Sequence, residues 1–273
     1  MRLLTWNLNG RRSVDRQVTA IASRAPDIVA LQEITYRSAA LHRVALAAVG
    51  LAHIVDSFSH SAPWERVGPR RYGLLIASIH PLTPLPSTAR VPWPERLLSA
   101  DIATPSGLLT IHTTHIPPGS SNGPRKIDML EALTSVVAEP SPTPRILCGD
   151  FNVPQAELPN GRIVTWAERL TVGGEPRPRV TWRKRDARQW DAAERTVMEG
   201  GPQRALVDAY RALHGYARQE FSWILKRKAL RVGRRFDHAF CSREIRISRC
   251  EYLHDVRERG LSDHAALELD FEL

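Results

Sequence analysis

The residues with the clearest chemical potential follow one apolar run. Arg145-Ile146-Leu147-Cys148 leads into Gly149-Asp150-Phe151-Asn152, so a carboxylate and a carboxamide stand two residues apart at the end of a predicted buried strand. Side chains alternate along a strand, and this spacing therefore places Asp150 and Asn152 on one side. Gly149 leaves room for a close approach to the backbone.

A carboxylate beside an amide donor suits a negative group that water attacks, and phosphate is the natural candidate. The same tetrapeptide also fits a strand-end turn in which Asp150 and Asn152 cap local amides. The rest of the sequence has to decide between these two interpretations.

Three further polar residues stand at the ends of predicted strands. Asn7 ends a strand-like segment, Glu33 follows the apolar run 28–31, and His115 ends the second strand of a predicted hairpin. Open α/β sheets usually bind ligands at the carboxyl ends of their strands, so these side chains are candidates for one site. Taken singly, Glu33 also fits a solvated strand end, and His115 a surface histidine.

Two motifs near the C-terminus complete the set. Asp237 lies in Arg235-Phe236-Asp237-His238, and His264 follows Ser262-Asp263 just before an apolar strand. A carboxylate often holds one imidazole nitrogen of a catalytic histidine and so sets its tautomer. We therefore expect Asp237 to orient His264.

Together these motifs resemble those of the endonuclease/exonuclease/phosphatase superfamily. The resemblance runs from Trp6-Asn7 to Ser262-Asp263-His264, and the pairing of Gly149-Asp150-Phe151-Asn152 with a distal Ser-Asp-His is specific. It implies a four-layer α/β/β/α sandwich of two packed mixed sheets, with the site at one edge between them. It also implies a metal-dependent hydrolase of phosphoric esters.

The resemblance implies a metal site on one side of the cleft. Glu33 matches the metal position of the family, with Asn7 nearby and Asp263 as a further ligand. Carboxylate and amide oxygens form the hard ligand set that Mg²⁺ prefers, and Mn²⁺ is the alternative ion.

The resemblance also implies catalytic roles for the remaining residues. Asp150 would orient or deprotonate the attacking water, and Asn152 would donate hydrogen bonds to the phosphate or to that water. His264, oriented by Asp237, would stabilise the developing negative charge or act as acid or base.

His115 is the informative departure within the family. Nucleases of the exonuclease III type have a tyrosine at this position, whereas histidine resembles deoxyribonuclease I and the sphingomyelinases. Other segments resemble the exonuclease III branch, namely Leu206-Val207-Asp208-Ala209-Tyr210, Phe221-Ser222-Trp223 and Arg235-Phe236-Asp237. Family membership is therefore better specified than the substrate.

The elements that must position these residues follow from periodicity and from breakers. We predict one domain over 1–273, with a basic insertion around 155–203. Helices are predicted over 13–24, 38–49, 126–138, 164–170, 189–198 and 206–214. The prolines between 81 and 94 predict an irregular connection. Strands are predicted over 2–7, 28–31, 53–57, 73–79, 97–103, 108–115, 145–150, 220–225, 236–241, 245–254 and 265–273.

The charge balance favours a polyanionic partner. Lys and Arg exceed Asp and Glu by 38 to 29, which gives a net charge of +9. Two basic clusters carry tryptophans, a combination that suits phosphate contacts and base stacking, although a charged run is also typical of a solvated face. The candidate nucleic-acid contacts are Arg183, Lys184, Arg185, Trp223, Lys226, Arg227, Lys228, Arg231, Arg234 and Arg235.

Other classes are disfavoured. Three unevenly spaced cysteines form neither a disulfide framework nor a zinc motif. The N-terminus lacks the features of a signal peptide, and no apolar run reaches membrane-spanning length. We therefore expect a cytoplasmic protein, and the resemblance implies a monomer, because small enzymes of this fold often act alone.

The first functional hypothesis is a Mg²⁺-dependent phosphodiesterase that cleaves nucleic acid. The second keeps the chemistry but replaces the substrate with a small phosphorylated molecule or a lipid headgroup. The third is a catalytically inactive binding module on the same scaffold.

Overall fold

The computed structural model describes residues 1–86, 91–171, 173–201, 204–227 and 230–273, without the side chains of Lys226, Arg227 and Leu230. Two six-stranded sheets dominate the described residues. No helix within these ranges is both long and apolar enough to cross a membrane.

The first sheet joins the two ends of the chain. It contains β1 (Arg2–Asn7), β2 (Ile28–Thr35), β3 (His53–Asp56), β4 (Tyr72–Ser78), β19 (Arg246–Leu253) and β20 (Ala266–Glu272). The strand order is β19-β20-β1-β2-β4-β3. β1 and β2 run parallel, and β20 lies antiparallel on the other side of β1. The carboxyl ends of β1 and β2 therefore lie at the same edge.

The second sheet is built from the middle of the chain. It contains β5 (Leu82–Leu85), β6 (Leu97–Thr104), β7 (Gly107–His115), β8 (Arg145–Asp150), β15 (Leu206–Asp208) and β18 (Asp237–Ser242). The strand order is β15-β18-β8-β7-β6-β5. β7 and β8 run parallel, and β18 lies antiparallel to β8.

The two sheets pack face to face, and helices cover their outer faces. Leu3 and Ile28 of the first sheet share one buried cluster with Ile111 and Ile146 of the second. The other faces bury their apolar side chains against helices. The helices are α1 (Val14–Ala22), α2 (Tyr36–Ala48), α3 (Gly119–Asn122), α4 (Arg125–Ala138), α5 (Ala187–Met198), α6 (Ala209–His214) and α7 (His254–Glu258). This is the predicted four-layer sandwich.

Short hairpins fill much of the second half of the chain. They comprise β9 (Ala156–Glu157) with β10 (Ile163–Val164), β11 (Glu168–Leu170) with β12 (Pro176–Pro178), β13 (Thr181–Trp182) with β14 (Arg185–Asp186), and β16 (Trp223–Arg227) with β17 (Leu230–Arg234).

Several local predictions differ from the structure. The helix predicted over 164–170 is wrong, because this stretch forms parts of β10 and β11. The helix predicted over 206–214 begins only after β15, where Asp208 accepts the backbone N–H groups of Tyr210 and Arg211 and so caps α6. The proline-rich connection contains β5, and Pro84 is tolerated there because β5 is an edge strand.

Candidate active site

Asn7 bridges the two sheets at the edge where their strands end. Its side-chain amide donates to Asp150 Oδ2 at 2.8 Å and to Glu33 Oε1 at 3.2 Å. Asn7 lies at the end of β1, whereas Asp150 ends β8 in the other sheet. The predicted convergence of these side chains is therefore observed.

Strand register places the other polar groups around Asp150. His115 is its neighbour on the parallel strand β7, and Asp237 is opposite on the antiparallel strand β18. Gly149 has φ +131°, and a Cβ there would lie 2.1 Å from the carbonyl oxygen of Thr114. The predicted close approach at Gly149 is therefore made by the neighbouring strand and not by a ligand.

A β-bulge turns Glu33 toward the site. The pairing of β2 with β4 shifts register between Leu31 and Ile34, and Glu33 adopts φ +53° inside that interval. A bulge re-aims a side chain that the regular alternation would direct elsewhere. β2 continues to Thr35, so Glu33 is not the strand end that the sequence predicts.

His264 is held by Asp237, as predicted. Its Nδ1 lies 2.7 Å from Asp237 Oδ2, and its Nε2 lies 3.9 Å from Asp150 Oδ2. Burial by itself would lower the pKa of His264, but the carboxylates of Asp237 and Asp150 outweigh it and raise the pKa to about 10. The imidazole is therefore cationic at neutral pH in the metal-free protein.

The two carboxylates of the site carry raised pKa values. Burial raises the pKa of Asp150 to about 7, and the neighbouring Asp237 adds to the shift while His264 opposes it. Burial also raises the pKa of Glu33, against the charge of Arg96. Both shifts show that the protein supplies too little positive charge for these groups.

Arg96 is a site residue that the sequence analysis missed. Its buried guanidinium donates to His115 Nδ1 and to the carbonyl oxygen of Pro69. Burial and the Arg96 charge hold the pKa of His115 well below its usual range, so the ring is neutral. Because Nδ1 accepts, the ring hydrogen lies on Nε2, which is 3.3 Å from Glu33 Oε1. No motif marks Arg96, since it is one of many arginines.

Asn152 combines a backbone turn with polar contacts. It has φ +53°, and its N–H donates to Asp150 Oδ1 at 2.9 Å. The sequence analysis offered a strand-end turn with local capping as an alternative to a phosphate site. This hydrogen bond is such a capping contact, and it occupies Oδ1 of Asp150. The side-chain amide donates to Ile116 O at 2.9 Å and to Asp150 Oδ2 at 3.2 Å.

Glu33, His115 and Asp150 lie together where a metal ion could bind, and the two carboxylates are the available ligands, because Arg96 and the ring hydrogen occupy the two nitrogens of His115. One ligand atom from each lies within 4.8 Å of the others. Asp263 Oδ1 is buried and has no hydrogen-bond partner within the described ranges. Two carboxylates with raised pKa values and an Asp263 oxygen that accepts no hydrogen bond fit a divalent cation. The side-chain oxygen of Asn7 accepts the N–H of Asn9 at 2.8 Å, so in this arrangement Asn7 orients the carboxylates.

A cleft of about 520 Å³ opens beside these groups. Its wall is aromatic and contains Trp166, Trp182, Trp223 and Phe236. The rings of Trp223 and Phe236 stack at 5.5 Å, and the Trp223 indole donates to Asp263 Oδ2 at 3.1 Å. The wall is therefore tied to the polar centre by direct hydrogen bonding.

The predicted basic contacts separate into several groups. Arg234 and Trp223 line the cleft, and Arg183, Lys184 and Arg231 are exposed. Arg185 pairs with Asp128 at 2.7 Å. Lys226 and Arg227 belong to β16, and their side chains, like all of Lys228, lie outside the described residues.

The prediction that Arg235 contacts nucleic acid is wrong. It is 3% exposed and pairs at 2.6 Å with both Glu157 and Asp208. A guanidinium enclosed by two carboxylates has no donor left for a phosphate in solution. Its apparent membership of a basic surface run came from its neighbours along the chain.

A second aromatic and basic surface was also missed. Trp64 and Tyr36 are 79% and 68% exposed, and the Arg66 guanidinium lies 5.0 Å from the Tyr36 ring. Tyr36 follows Glu33 by three residues along the chain, and the carbonyl oxygen of Pro69 accepts from Arg96. The sequence analysis assigned no function to these exposed aromatic residues.

Comparison with known proteins agrees with this geometry. The family model described as Endonuclease/Exonuclease/phosphatase family matches residues 4–264. Exodeoxyribonuclease III of Haemophilus influenzae is 25% identical over 294 residues that span both chains completely.

Solved structures share the fold. An AP endonuclease from Archaeoglobus fulgidus has a TM-score of 0.70 at 19% identity, and the 3′ phosphatase NExo from Neisseria, bound to a product DNA hairpin, has a TM-score of 0.67 at 21% identity. Both comparisons cover the whole of both chains. The chain therefore belongs to the divalent-metal-dependent Endonuclease/Exonuclease/phosphatase family and is a hydrolase that acts on phosphoric ester bonds.

Proposed function

We propose that the protein is a Mg²⁺-dependent phosphodiesterase that hydrolyses phosphodiester bonds of nucleic acid by in-line attack of water. The observation that carries this proposal is the contact of Asn7 with Glu33 and Asp150, because it joins a candidate metal ligand of one sheet to a candidate base of the other. The Asp237–His264 pair lies on the other side of Asp150. The monomeric state and the cytoplasmic location remain part of the proposal.

The residues divide the reaction between them. Asp150 Oδ2 accepts the proton of the attacking water, and Asn7 holds this carboxylate in place. His264 directs Nε2 toward the reacting phosphate, because Asp237 occupies Nδ1. The neutral His115 donates its Nε2 hydrogen toward the same region. Preorganised donors of this kind stabilise the charge that develops in the transition state.

Glu33, with Asp263 and Asp150 nearby, would hold Mg²⁺ or Mn²⁺. The bound ion neutralises negative charge on the phosphoryl oxygens. The hard oxygen donors of these residues favour Mg²⁺ over softer metals.

The walls of the cleft support a nucleic-acid substrate. Tryptophan rings stack on unpaired bases, and arginines neutralise backbone phosphates. The Arg179 guanidinium lies 4.2 Å from the centre of the Trp182 ring, and the Arg66 guanidinium lies 5.0 Å from the centre of the Tyr36 ring. The DNA-related relatives make nucleic acid the first substrate to test.

The test is a panel of single-stranded, duplex and abasic DNA, RNA and inositol phosphates. We expect cleavage of at least one nucleic acid, loss of cleavage with EDTA and its recovery with Mg²⁺. Asp150→Asn should remove activity while the protein stays folded, as seen by circular dichroism. Cleavage that survives in Asp150→Asn would contradict the assigned role.

Turnover of inositol phosphates without cleavage of any nucleic acid would favour the second hypothesis, a small phosphorylated substrate. His115 is the residue that keeps this hypothesis open, since this position separates branches of the family. An inactive scaffold is not proposed, because the predicted acid and base groups are all present at the site.

A further inference from the structure

The main-chain carbonyl of Asn152 receives two donors from distant parts of the chain. Lys126 Nζ of α4 lies 2.8 Å from this oxygen, and the indole nitrogen of Trp166 lies 3.1 Å from it. Asn152 has φ +53°, a left-handed conformation that asparagine tolerates better than most other non-glycine residues. Both contacts therefore act on the backbone that carries a residue of the site.

Glu194 of α5 connects the two donors. Its Oε1 lies 2.9 Å from Lys126 Nζ, and its Oε2 accepts the backbone N–H of Trp166 at 2.7 Å. The side chains of Lys126 and Glu194 are both 0% exposed. Asn152, Lys126, Glu194 and Trp166 thus form a closed ring of polar contacts, which we call the Asn152 clamp.

Packing around the clamp fixes its position. The Trp190 ring of α5 lies against Gly119, where a Cβ would be only 2.5 Å from the ring. Gly119 is the first residue of α3, four residues after His115, and it lines the cleft, so α5 packs directly behind the site. Trp166 lines the cleft, and the clamp therefore connects the substrate wall to the Asn152 backbone.

A buried lysine and glutamate are not needed for stability alone. Removing two charges from water is costly, and well-packed apolar residues at such positions are often as stable or more stable. A polar pair of this kind needs another reason when it sits behind a catalytic loop. The hydrogen bonds to Asn152 supply that reason, because an apolar pair cannot make them.

We infer that Lys126, Glu194 and Trp166 are positioning residues that set the Asn152 backbone for the hydrolysis, and that this is the contribution of α5 to catalysis. The inference rests on the proposed function. None of the three is assigned a role in proton transfer or metal binding. The expected signature is therefore a lower kcat with an unchanged requirement for Mg²⁺.

The direct test observes the carbonyl itself. Asn152-Val153 is the only Asn-Val dipeptide in the sequence, so a protein labelled with ¹³C-carbonyl asparagine and ¹⁵N-valine gives one HNCO signal. In the double variant Lys126→Met/Glu194→Leu this signal should move, because the carbonyl loses the ammonium donor. The matched control is Arg246→Gln/Glu272→Gln, which removes an exposed ion pair of 2.6 Å in the first sheet and should leave the signal in place.

Kinetics on the best nucleic-acid substrate of the panel provides the second readout. A small displacement of a catalytic group costs up to about a hundredfold in rate, and we expect the double variant to lower kcat by about tenfold or more. KM should stay within about twofold, because Lys126 and Glu194 are buried and cannot reach the substrate. A double variant with unchanged kcat, or with an unmoved carbonyl signal, would overturn the inference.

If the double variant does not fold, Trp166→Phe tests the same positioning role. Phenylalanine retains an aromatic ring in the cleft but lacks the N–H that reaches Asn152. We expect a moved carbonyl signal and a kcat lower by about threefold to tenfold, the effect of losing one hydrogen bond. If Trp166→Phe changes neither, the clamp has no positioning role. If the wild type cleaves none of the nucleic acids in the panel, the proposed function itself is wrong.

Discussion

Two groups of charged side chains lie next to each other in this protein, and burial shifts the pKa values of their carboxylates with opposite net results. In the catalytic cluster, Glu33 and Asp150 have raised pKa values because burial outweighs the positive charge around them. In the second group, which we call the arginine network, Arg235 pairs with Glu157 and Asp208. There the arginine outweighs burial and lowers the pKa of Glu157 to about 2.

The two groups meet on one stretch of chain. Arg235 belongs to the arginine network, and Asp237, two residues later, belongs to the catalytic cluster. The difference shows that burial of charge does not by itself mark a functional site. The arginine network is satisfied internally, whereas the positive charges of Arg96 and His264 do not offset the burial of Glu33 and Asp150, and a bound cation would add to them. The following predictions test this contrast, from the largest expected effect to the smallest.

His264→Ala should affect the reaction most strongly. Loss of a positioned acid–base group lowers kcat by about 10²–10⁴-fold, and we expect a value in this range. The thermal unfolding midpoint should also fall at pH 7, because the folded protein binds the His264 proton more tightly than the unfolded chain and Asp237 loses its partner. Steady-state kinetics and calorimetry on the same sample measure both quantities. An active variant would remove His264 from the mechanism.

Arg235→Met should reduce stability without removing a group that the proposed reaction uses. It leaves Asp208 and part of Glu157 buried without a counter-charge, which typically costs about 3–5 kcal/mol. Urea unfolding gives the change in free energy. The control is Arg231→Met, at an exposed arginine of β17 four residues earlier in the chain, and it should change the free energy of unfolding by less than about 0.5 kcal/mol. Equal effects of the two variants would contradict the burial-based distinction.

The two groups should also respond to pH with opposite signs. The pKa of Asp150 rises from 3.8 to about 7 on folding, so the folded metal-free protein binds this proton more tightly than the unfolded chain. Its contribution to stability therefore falls as pH rises from about 4 to about 7. The pKa of Glu157 drops from 4.5 to about 2, so its contribution is lost as pH falls through that interval.

Asp150→Asn isolates the first of these effects. Without the ionised carboxylate, the metal-free protein should be more stable than the wild type by about 1–3 kcal/mol at pH 8. Mg²⁺ should stabilise the wild type and have a smaller effect on the variant. Denaturant titrations at pH 5 and pH 8, with and without Mg²⁺, measure the differences. A variant less stable than the wild type at pH 8 would contradict the account of Asp150.

The smallest effect is expected at the exposed arginines. Arg231→Gln should reduce the slope of log K against log salt by about 1 if it contacts one phosphate. Arg246→Gln lies in the first sheet, away from the proposed cleft contacts, and should leave the slope unchanged. Fluorescence anisotropy at several salt concentrations provides both slopes. Identical slopes for both variants and the wild type would make Arg231 part of the solvated surface.

Much of the fold followed from local patterns in the chain. The apolar runs predicted β1, β7 and β8, and the helical spacing of Val14, Val18 and Ile21 predicted α1. The short strands β9 to β14 were not predicted, because a strand of two or three residues shows no detectable periodicity. The strand β17 was missed for a different reason, since its arginines read as part of a basic surface run.

The candidate site divides in a similar way. Asn7, His115 and Asp150 end strands, and that position made them candidates for one site. Arg96 and Lys126 could not, because an arginine or lysine is recognised as buried only when its carboxylate or ring partner is known. Trp166 is likewise recognised as a site residue because it lines the cleft. No sequence motif around it indicates this role.

The sequence by itself determined which side chains end the core strands, because apolar runs and their polar endings are local properties. It also determined the family, since Gly149-Asp150-Phe151-Asn152 and Ser262-Asp263-His264 are contiguous. Only the tertiary structure decided which charges face each other. Pairing between residues such as Arg235 and Glu157, 78 positions apart, depends on strand register and sheet packing, and these arise only when the whole chain folds.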